Sequence, residues 1–120
     1  MKKRSIILIG GEGYIGTVVR SFFLKKGFKV YSFDNIIYNQ AFKNDKSNKG
    51  FNFFRHNFAN KKIFRFLDKL EHENLIILGS IVGDPITKKY PKITKKINLD
   101  ATEKLLKYAL KKNFKKVIFI

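Results

Sequence analysis

The 120-residue sequence contains no cysteine, two histidines, two prolines and no long apolar run. Without cysteine there can be no disulfide, thiolate metal ligand or cysteine nucleophile, and we expect a cytoplasmic protein. His56 and His72 show no metal-ligand spacing, so no metal site is expected. Apolar runs such as Ile6–Ile9 fall far short of the ~20 residues of a membrane span. A basic start precedes that run, but the run is also too short for a signal peptide.

Acidic residues are scarce: 9 Asp and Glu stand against 26 Lys and Arg, a net charge of +17. Such a surplus can attract nucleic acid or an anionic membrane. Only four cations are arginines, the type that reads base edges and phosphates best, and the lysine pairs are spread along the chain. We therefore expect neither a membrane nor a nucleic-acid partner, and keep a basic nucleic-acid binder as an alternative. The 44% hydrophobic content suffices for one folded domain.

Short apolar runs alternate with longer amphipathic stretches. The predicted elements are a strand over Ser5–Ile9, a helix over Tyr14–Lys26, strands over Phe28–Phe33 and Phe51–Arg55, a helix over Lys61–Leu70, a strand over Asn74–Leu78, a helix over Lys92–Lys112 and a strand over Lys116–Ile120. This order predicts an α/β fold, a doubly wound parallel sheet of Rossmann type with helices on both faces. The sequence stops at the fifth strand with nothing to cover it, so we expect the first half of something longer.

The helices are expected to bury their apolar faces. The candidate core residues are Ile15, Val18, Val19 and Phe22 in the first helix, Ile63, Phe66, Leu67 and Leu70 in the second, and Ile93, Ile97, Leu99, Leu105, Leu106 and Ala109 in the third.

A glycine-rich segment, Gly10–Gly16, joins the first strand to the first helix. Gly10 would permit a tight turn, Gly13 would let a diphosphate approach the backbone, and Gly16 would let the helix lie close to the sheet. The helix N-terminus would then present amides to the phosphates. Glu12 occupies a variable position, where a carboxylate near phosphates is slightly unfavourable.

An acidic residue ends the second strand, as a dinucleotide-binding site of this kind requires. Asp34 lies 18 residues after Gly16 (34 − 16), close to the usual spacing of about 20. A carboxylate there can accept hydrogen bonds from both ribose hydroxyls and would repel a 2′-phosphate. We expect NAD rather than NADP, although lysines at 43, 46 and 49 could soften that preference.

The glycine segment resembles that of the extended short-chain dehydrogenase/reductase family, the NAD-dependent epimerase/dehydratase group that acts on nucleotide sugars. The resemblance continues along essentially the whole chain, in the segments Phe33–Gln40, Phe54–Phe58, Leu78–Pro85 and Ile97–Thr102.

This resemblance implies a role for each matching position. Diphosphate contacts would come from the glycine segment, ribose contacts from the end of the second strand, adenine contacts from the end of the third, and nicotinamide contacts from the end of the fourth. The diphosphate residues are Gly10, Gly13, Tyr14 and Ile15, and Gly11 and Gly16 complete the cofactor-binding turn. The residues implied at the ribose are Asp34 and Asn35, and those at the adenine are Asn57 and Phe58. Gly79, Ser80 and Ile81 would lie near the nicotinamide, and Asn98 would help to order the active-site floor.

Some positions depart from the family pattern. Asn57 stands where the family usually has Asp, and Gly79-Ser80 replaces Ala-Ala. The family's catalytic Ser/Thr, Tyr and Lys follow the fifth strand, where this sequence ends. Tyr108 and Lys112 have the Tyr-x-x-x-Lys spacing but precede that strand, so we expect them not to be catalytic.

Residues 1–120 are accordingly interpreted as an NAD(P)-binding domain, the cofactor-binding portion of a nucleotide-sugar epimerase or dehydratase, without its catalytic and substrate-binding half. We expect this chain alone to be inactive. A complete enzyme would bind a nucleotide sugar, and a homodimer is possible. A non-catalytic dinucleotide sensor or pseudoenzyme is the first alternative.

Overall fold

The computed structural model describes residues 4–34, 48–56, 60–78 and 91–120, without the side chains of 93, 94, 97 and 98. Five strands and three helices lie in these ranges. They are β1 (Ser5–Ile9), α1 (Tyr14–Lys25), β2 (Lys29–Asp34), β3 (Phe51–Arg55), α2 (Ile63–Leu67), β4 (Asn74–Ile77), α3 (Pro91–Lys111) and β5 (Lys116–Phe119). Each predicted element is present, with ends shifted by a few residues.

The strands form one parallel sheet in the order β3-β2-β1-β4-β5. In β1, Ile7 lies beside Tyr31 of β2 and Leu75 of β4. The chain thus proceeds from β1 toward one edge of the sheet and from β4 toward the other. This reversal confirms the doubly wound α/β fold. In sheets of this type, ligands bind beyond the carboxyl ends of the strands at which the order reverses, which here are β1 and β4.

Both faces of β1 are buried, which explains its uninterrupted apolar sequence. Ile7 and Ile9 pack in a core with α2 and α3, whereas Ile6 and Leu8 pack in a second core with Leu24 of α1. Successive side chains of a strand alternate between faces, so α1 lies on one side of the sheet and the other two helices on the opposite side.

The predicted core face of α1 is wrong. Ile15, Val18 and Phe22 are 52%, 66% and 54% exposed, and the buried positions are Gly16, Arg20 and Leu24, four residues apart. Val19 alone of the four predicted residues packs against the core, where it is half-buried. The helix turns its glycine and arginine inward because it must lie close to the turn that precedes it. Apolar content alone therefore selected the wrong face.

The other helices agree better with the predicted faces. In α3, Leu105 and Ala109 are buried and Leu106 is half-buried, but Leu99 is 65% exposed, contrary to prediction. Ile63 and Leu67 of α2 are buried and Leu70 after it is half-buried, but Phe66 is 36% exposed, contrary to prediction. The predicted core residues Ile93 and Ile97 belong to the side chains outside the described set. No helix within the described ranges is long and apolar enough to cross a membrane.

Candidate dinucleotide-binding site

The site lies where the sheet changes direction. The Gly10 N–H donates to the Phe33 carbonyl at 2.7 Å, directly after β1, and the Leu78 N–H donates to the Ile9 carbonyl at 2.7 Å. These bonds extend the strand pairing to the carboxyl edge on both sides of β1. The turn that follows β1 is therefore attached to a rigid sheet.

The glycines of the turn meet different constraints. Gly10 has a positive φ of 82°, which favours glycine. A Cβ on Gly16 would lie 2.5 Å from the Gly10 carbonyl oxygen and 2.8 Å from Cα of Gly11, so the turn itself requires this glycine. A Cβ on Gly13 would be in ordinary contact with the Gly10 oxygen at 3.7 Å. The space beside Gly13 is thus available to a ligand.

The first turn of α1 is suited to an anion. Gly13 is the N-cap, contributes no side-chain acceptor, and no acidic residue follows in the first turn. The first amides of a helix have no partner within the helix and carry a partial positive charge. Tyr14 is 92% exposed beside them. These are the features of a phosphate-binding helix start.

Asp34 lies directly beside this turn. Its Oδ2 accepts a hydrogen bond from the Glu12 N–H at 2.9 Å. The Asp34 carbonyl accepts from the His56 N–H at 3.0 Å, which holds the end of β2 against the chain that leaves β3. The ribose-binding acid predicted from sequence is therefore fixed to the predicted phosphate-binding turn.

A buried polar cluster lies beneath the turn. The Glu12 carboxylate pairs with the Arg20 guanidinium, and both side chains are almost fully buried. Ser32 Oγ of β2 donates to Glu12 Oε2 at 2.7 Å. Burial raises the pKa of the Glu12 carboxyl, although the Ser32 hydrogen bond and the Arg20 charge oppose that shift. The cluster joins the turn, α1 and β2.

Sequence reasoning missed Arg20 and Ser32 and placed Glu12 near phosphates without a partner. One signal was present: Arg20 lies midway between Gly16 and Leu24 at four-residue spacing, which puts all three on one helical face. An arginine on an inward face requires a buried partner.

The structure brings together one part of the predicted site. Gly10, Gly11, Gly13, Tyr14, Ile15, Gly16 and Asp34 meet at the carboxyl edge. Asn35, Asn57, Phe58, Gly79, Ser80 and Ile81 lie outside the described residues, and Asn98 lies on α3 with its side chain outside them. Within the described ranges, no three His, Asp or Glu side chains are grouped to hold a metal.

The Tyr108–Lys112 spacing has a structural explanation. Tyr108 Oη donates to Asp68 Oδ1 at 2.6 Å, and Lys112 Nζ lies 3.5 Å from the same oxygen. Burial, together with the Asp68 hydrogen bond, raises the pKa of Tyr108, opposite to the shift that suits a general base. The pair lies near the start of β5, away from the carboxyl edge, and links α3 to the end of α2.

Solved structures share this fold. An epimerase from Methanothermobacter thermautotrophicus matches 98% of this chain at 15% identity and a TM-score of 0.81. A UDP-glucose 4-epimerase from Thermotoga maritima, solved with UDP-glucose, matches 96% at 23% identity and 0.76. A UDP-glucose 4-epimerase from Thermus thermophilus, solved with NAD, matches 86% at 22% identity and 0.68. The chain spans 35%, 37% and 32% of these proteins, respectively.

The sequence itself also matches a family model, and the match runs from residue 6 to residue 120. It covers the glycine turn, Asp34 and, apart from Ser5, the five strands. The chain therefore belongs to the NAD dependent epimerase/dehydratase family.

Proposed function

We propose that this chain binds NAD at the turn between β1 and α1, as the cofactor-binding portion of a nucleotide-sugar epimerase or dehydratase. The hydrogen bond from the Glu12 N–H to Asp34 Oδ2 carries the proposal, because it places an acid next to a glycine turn at the reversal of the sheet. A diphosphate and its ribose need these two features side by side.

The residues present fit this cofactor. Gly10, Gly13, Tyr14 and Ile15 would hold the diphosphate through backbone amides, with the unfilled space beside Gly13 admitting it. Asp34 would accept hydrogen bonds from the adenosine ribose. When bound, NAD supplies a nicotinamide ring that accepts and returns a hydride. By resemblance, Asn35 would assist at the ribose, Asn57 and Phe58 at the adenine, Gly79, Ser80 and Ile81 near the nicotinamide, and Asn98 at the active-site floor.

The preference for NAD over NADP follows from the Asp34 charge. A 2′-phosphate carries about −1.5 to −2 charges and would lie where the carboxylate accepts the ribose hydroxyls. Two negative charges placed next to each other in this way repel each other. The proposal therefore includes weaker binding of NADP.

The substrate is part of the proposal, since the chain spans 32–37% of the structural relatives named above. Two of these relatives are UDP-glucose 4-epimerases, and a nucleotide sugar is the substrate class that we propose for the complete enzyme. Residues 1–120 would contribute the cofactor site, and hydride transfer would require residues that correspond to the rest of those proteins. We expect no turnover of UDP-glucose by the 120-residue chain alone.

The cofactor assignment can be tested by calorimetric titration of the chain and of Asp34→Ala with NAD and NADP. We expect the parent to prefer NAD and the variant to lose about tenfold or more in NAD affinity, because hydrogen bonds to a charged group contribute about 1.5–3 kcal/mol. The variant should also discriminate less against NADP.

Asp100→Ala is the matched control, because it removes the same charge from an exposed position on α3. It should bind NAD as the parent does. If the strongly basic chain merely collected anions, NADP would bind more tightly than NAD and both variants would behave alike. That result would contradict the proposal.

A further inference from the structure

A carboxylate occupies the phosphate-binding turn itself. Glu12 lies between Gly11 and Gly13, and its backbone N–H already contacts Asp34. An ionised Glu12 would oppose a diphosphate bound at the same turn, and the nearby Asp34 adds a second negative charge. A site built to bind an anion therefore needs something to cancel the Glu12 charge.

Arg20 is placed to cancel it. Its guanidinium pairs with the Glu12 carboxylate beneath the turn, where the Glu12 side chain is fully buried and that of Arg20 is 3% exposed. Ser32 Oγ donates to the other carboxylate oxygen at 2.7 Å. The Arg20 guanidinium carbon also lies 4.7 Å from the centre of the Phe51 ring, a cation–π contact that holds it in place.

Three contacts hold Glu12 in this position. Arg20 comes from α1, Ser32 from β2, and the turn is held to β2 by the Glu12 N–H bond to Asp34. The net charge of the Glu12–Arg20 pair is zero, beneath the turn at which the diphosphate would bind. Loss of either one would leave a net charge under the turn, in an interior that screens charge less than water does.

We propose that Arg20 is a positioning and charge-compensating residue of the diphosphate site: it neutralises Glu12, so that the glycine turn can accept an anion. This inference rests on the proposed function. It predicts that the Glu12–Arg20 pair controls how strongly the phosphates, rather than the nucleoside, contribute to binding.

The test compares ADP with adenosine, two probes that differ by the diphosphate, on the full 120-residue chain at fixed pH and salt. Four variants form a charge cycle: Arg20→Met leaves a net negative charge, Glu12→Gln a net positive one, the double variant none, and Arg20→Lys keeps the pair. The readout is the ratio of the two affinities from calorimetric or NMR titration.

Arg20→Met should lower the preference for ADP over adenosine by about tenfold, and Glu12→Gln should raise it, since only the charge below the turn changes sign. The double variant and Arg20→Lys should stay near the parent ratio. A purely structural role would weaken both probes together and leave the ratio constant, and that result would overturn the inference.

Arg20→Met leaves a buried carboxylate without its cation, a change that can prevent folding. Glu12→Gln and the double variant then decide the matter: an unchanged ratio in Glu12→Gln refutes charge compensation, and a raised ratio that returns to the parent value in the double variant supports it. Failure of the proposed function is distinguishable, since the unsubstituted chain would then bind NADP at least as tightly as NAD, whatever the Glu12 and Arg20 variants show.

Discussion

Gly13 and Gly16 lie three residues apart at the start of α1, and a different physical constraint favours glycine at each position. Gly16 is required by the fold, since a Cβ there would overlap the backbone of Gly10 and Gly11. Gly13 has room for a methyl group on the protein side, so we expect its requirement to come from the proposed ligand. Substitution of Gly16 should therefore mainly lower stability, whereas substitution of Gly13 should mainly weaken NAD binding.

We predict that Gly16→Ala lowers the free energy of unfolding by about 1–3 kcal/mol, the usual cost of forcing extra atoms into a packed site. Gly13→Ala should cost less than about 1 kcal/mol, as a change at an N-cap, while NAD affinity falls sharply. Urea denaturation and NAD titration of both variants measure the two effects. A stable Gly16→Ala chain, or a Gly13→Ala chain with parental NAD affinity, would contradict this division.

Sequence patterns predicted the glycine turn and the acid that the structure places side by side. Gly10, Gly13 and Asp34 lie at the separations that a diphosphate and a ribose demand, whatever else the chain contains. The Glu12–Arg20 pair was not predicted because it depends on which face of α1 turns inward. That face is decided by packing against the turn, which the apolar pattern does not encode; the four-residue spacing of Gly16, Arg20 and Leu24 was the one sign of it.

At the level of elements, α1 shows how a close approach overrides apolar content. Its buried stripe of Gly16, Arg20 and Leu24 contains one apolar side chain, while Val18 and Phe22 face away from the sheet. Periodicity correctly located this helix and the five strands. It could not orient α1, because both faces are partly apolar.

The orientation of α1 predicts a clear contrast between two truncations. Leu24→Ala should destabilise the chain by about 2–5 kcal/mol, since Leu24 is buried in the core with Ile6, Leu8 and Val30. Val18→Ala should stay within about 0.5 kcal/mol, as exposed substitutions usually do. Chemical denaturation of both variants gives the comparison, and a larger loss for Val18→Ala would show that the sequence-based face was right.

The contact between the end of α2 and α3 makes the stability of the folded chain depend on pH in the acidic range. The Tyr108 hydrogen bond, helped by Lys112, lowers the pKa of Asp68. Because this pKa is depressed in the folded chain, its contribution is present above the ordinary pKa of an aspartate, near 3.9, and is lost as the pH falls through the folded value. We expect Tyr108→Phe to flatten the loss of stability between about pH 5 and 2, as followed by urea denaturation at each pH. An unchanged slope would show that Tyr108 does not set the Asp68 pKa.

At the scale of the whole molecule, the position of each strand sets its exposure. β1 is fully buried between β2 and β4, whereas every residue of β5 is exposed and its one paired neighbour in the described part of the sheet is β4.

Most of the 26 cationic residues behind the net charge of +17 are lysines, and they are spread along the chain. We expect no nucleic-acid partner, and that expectation stays a prediction.

We expect amide hydrogen exchange to be slowest in β1 and at least tenfold faster in β5, because local opening begins where few contacts hold a strand. Exchange followed by mass spectrometry resolves the two segments, which fall in different peptides. Equal protection of both strands would mean that β5 is covered in solution.

The described part of the proposed cofactor site comes from one β1–α1–β2 unit. Its defining hydrogen bond, from Glu12 to Asp34, spans 22 residues, whereas the pairing of Ile6 with Asn74 spans 68 (74 − 6). Closing a short loop costs less chain entropy than closing a long one, and local contacts form sooner. During synthesis on the ribosome, the proposed nucleotide-binding turn would therefore take shape while β4, which pairs with the other side of β1, is still being translated.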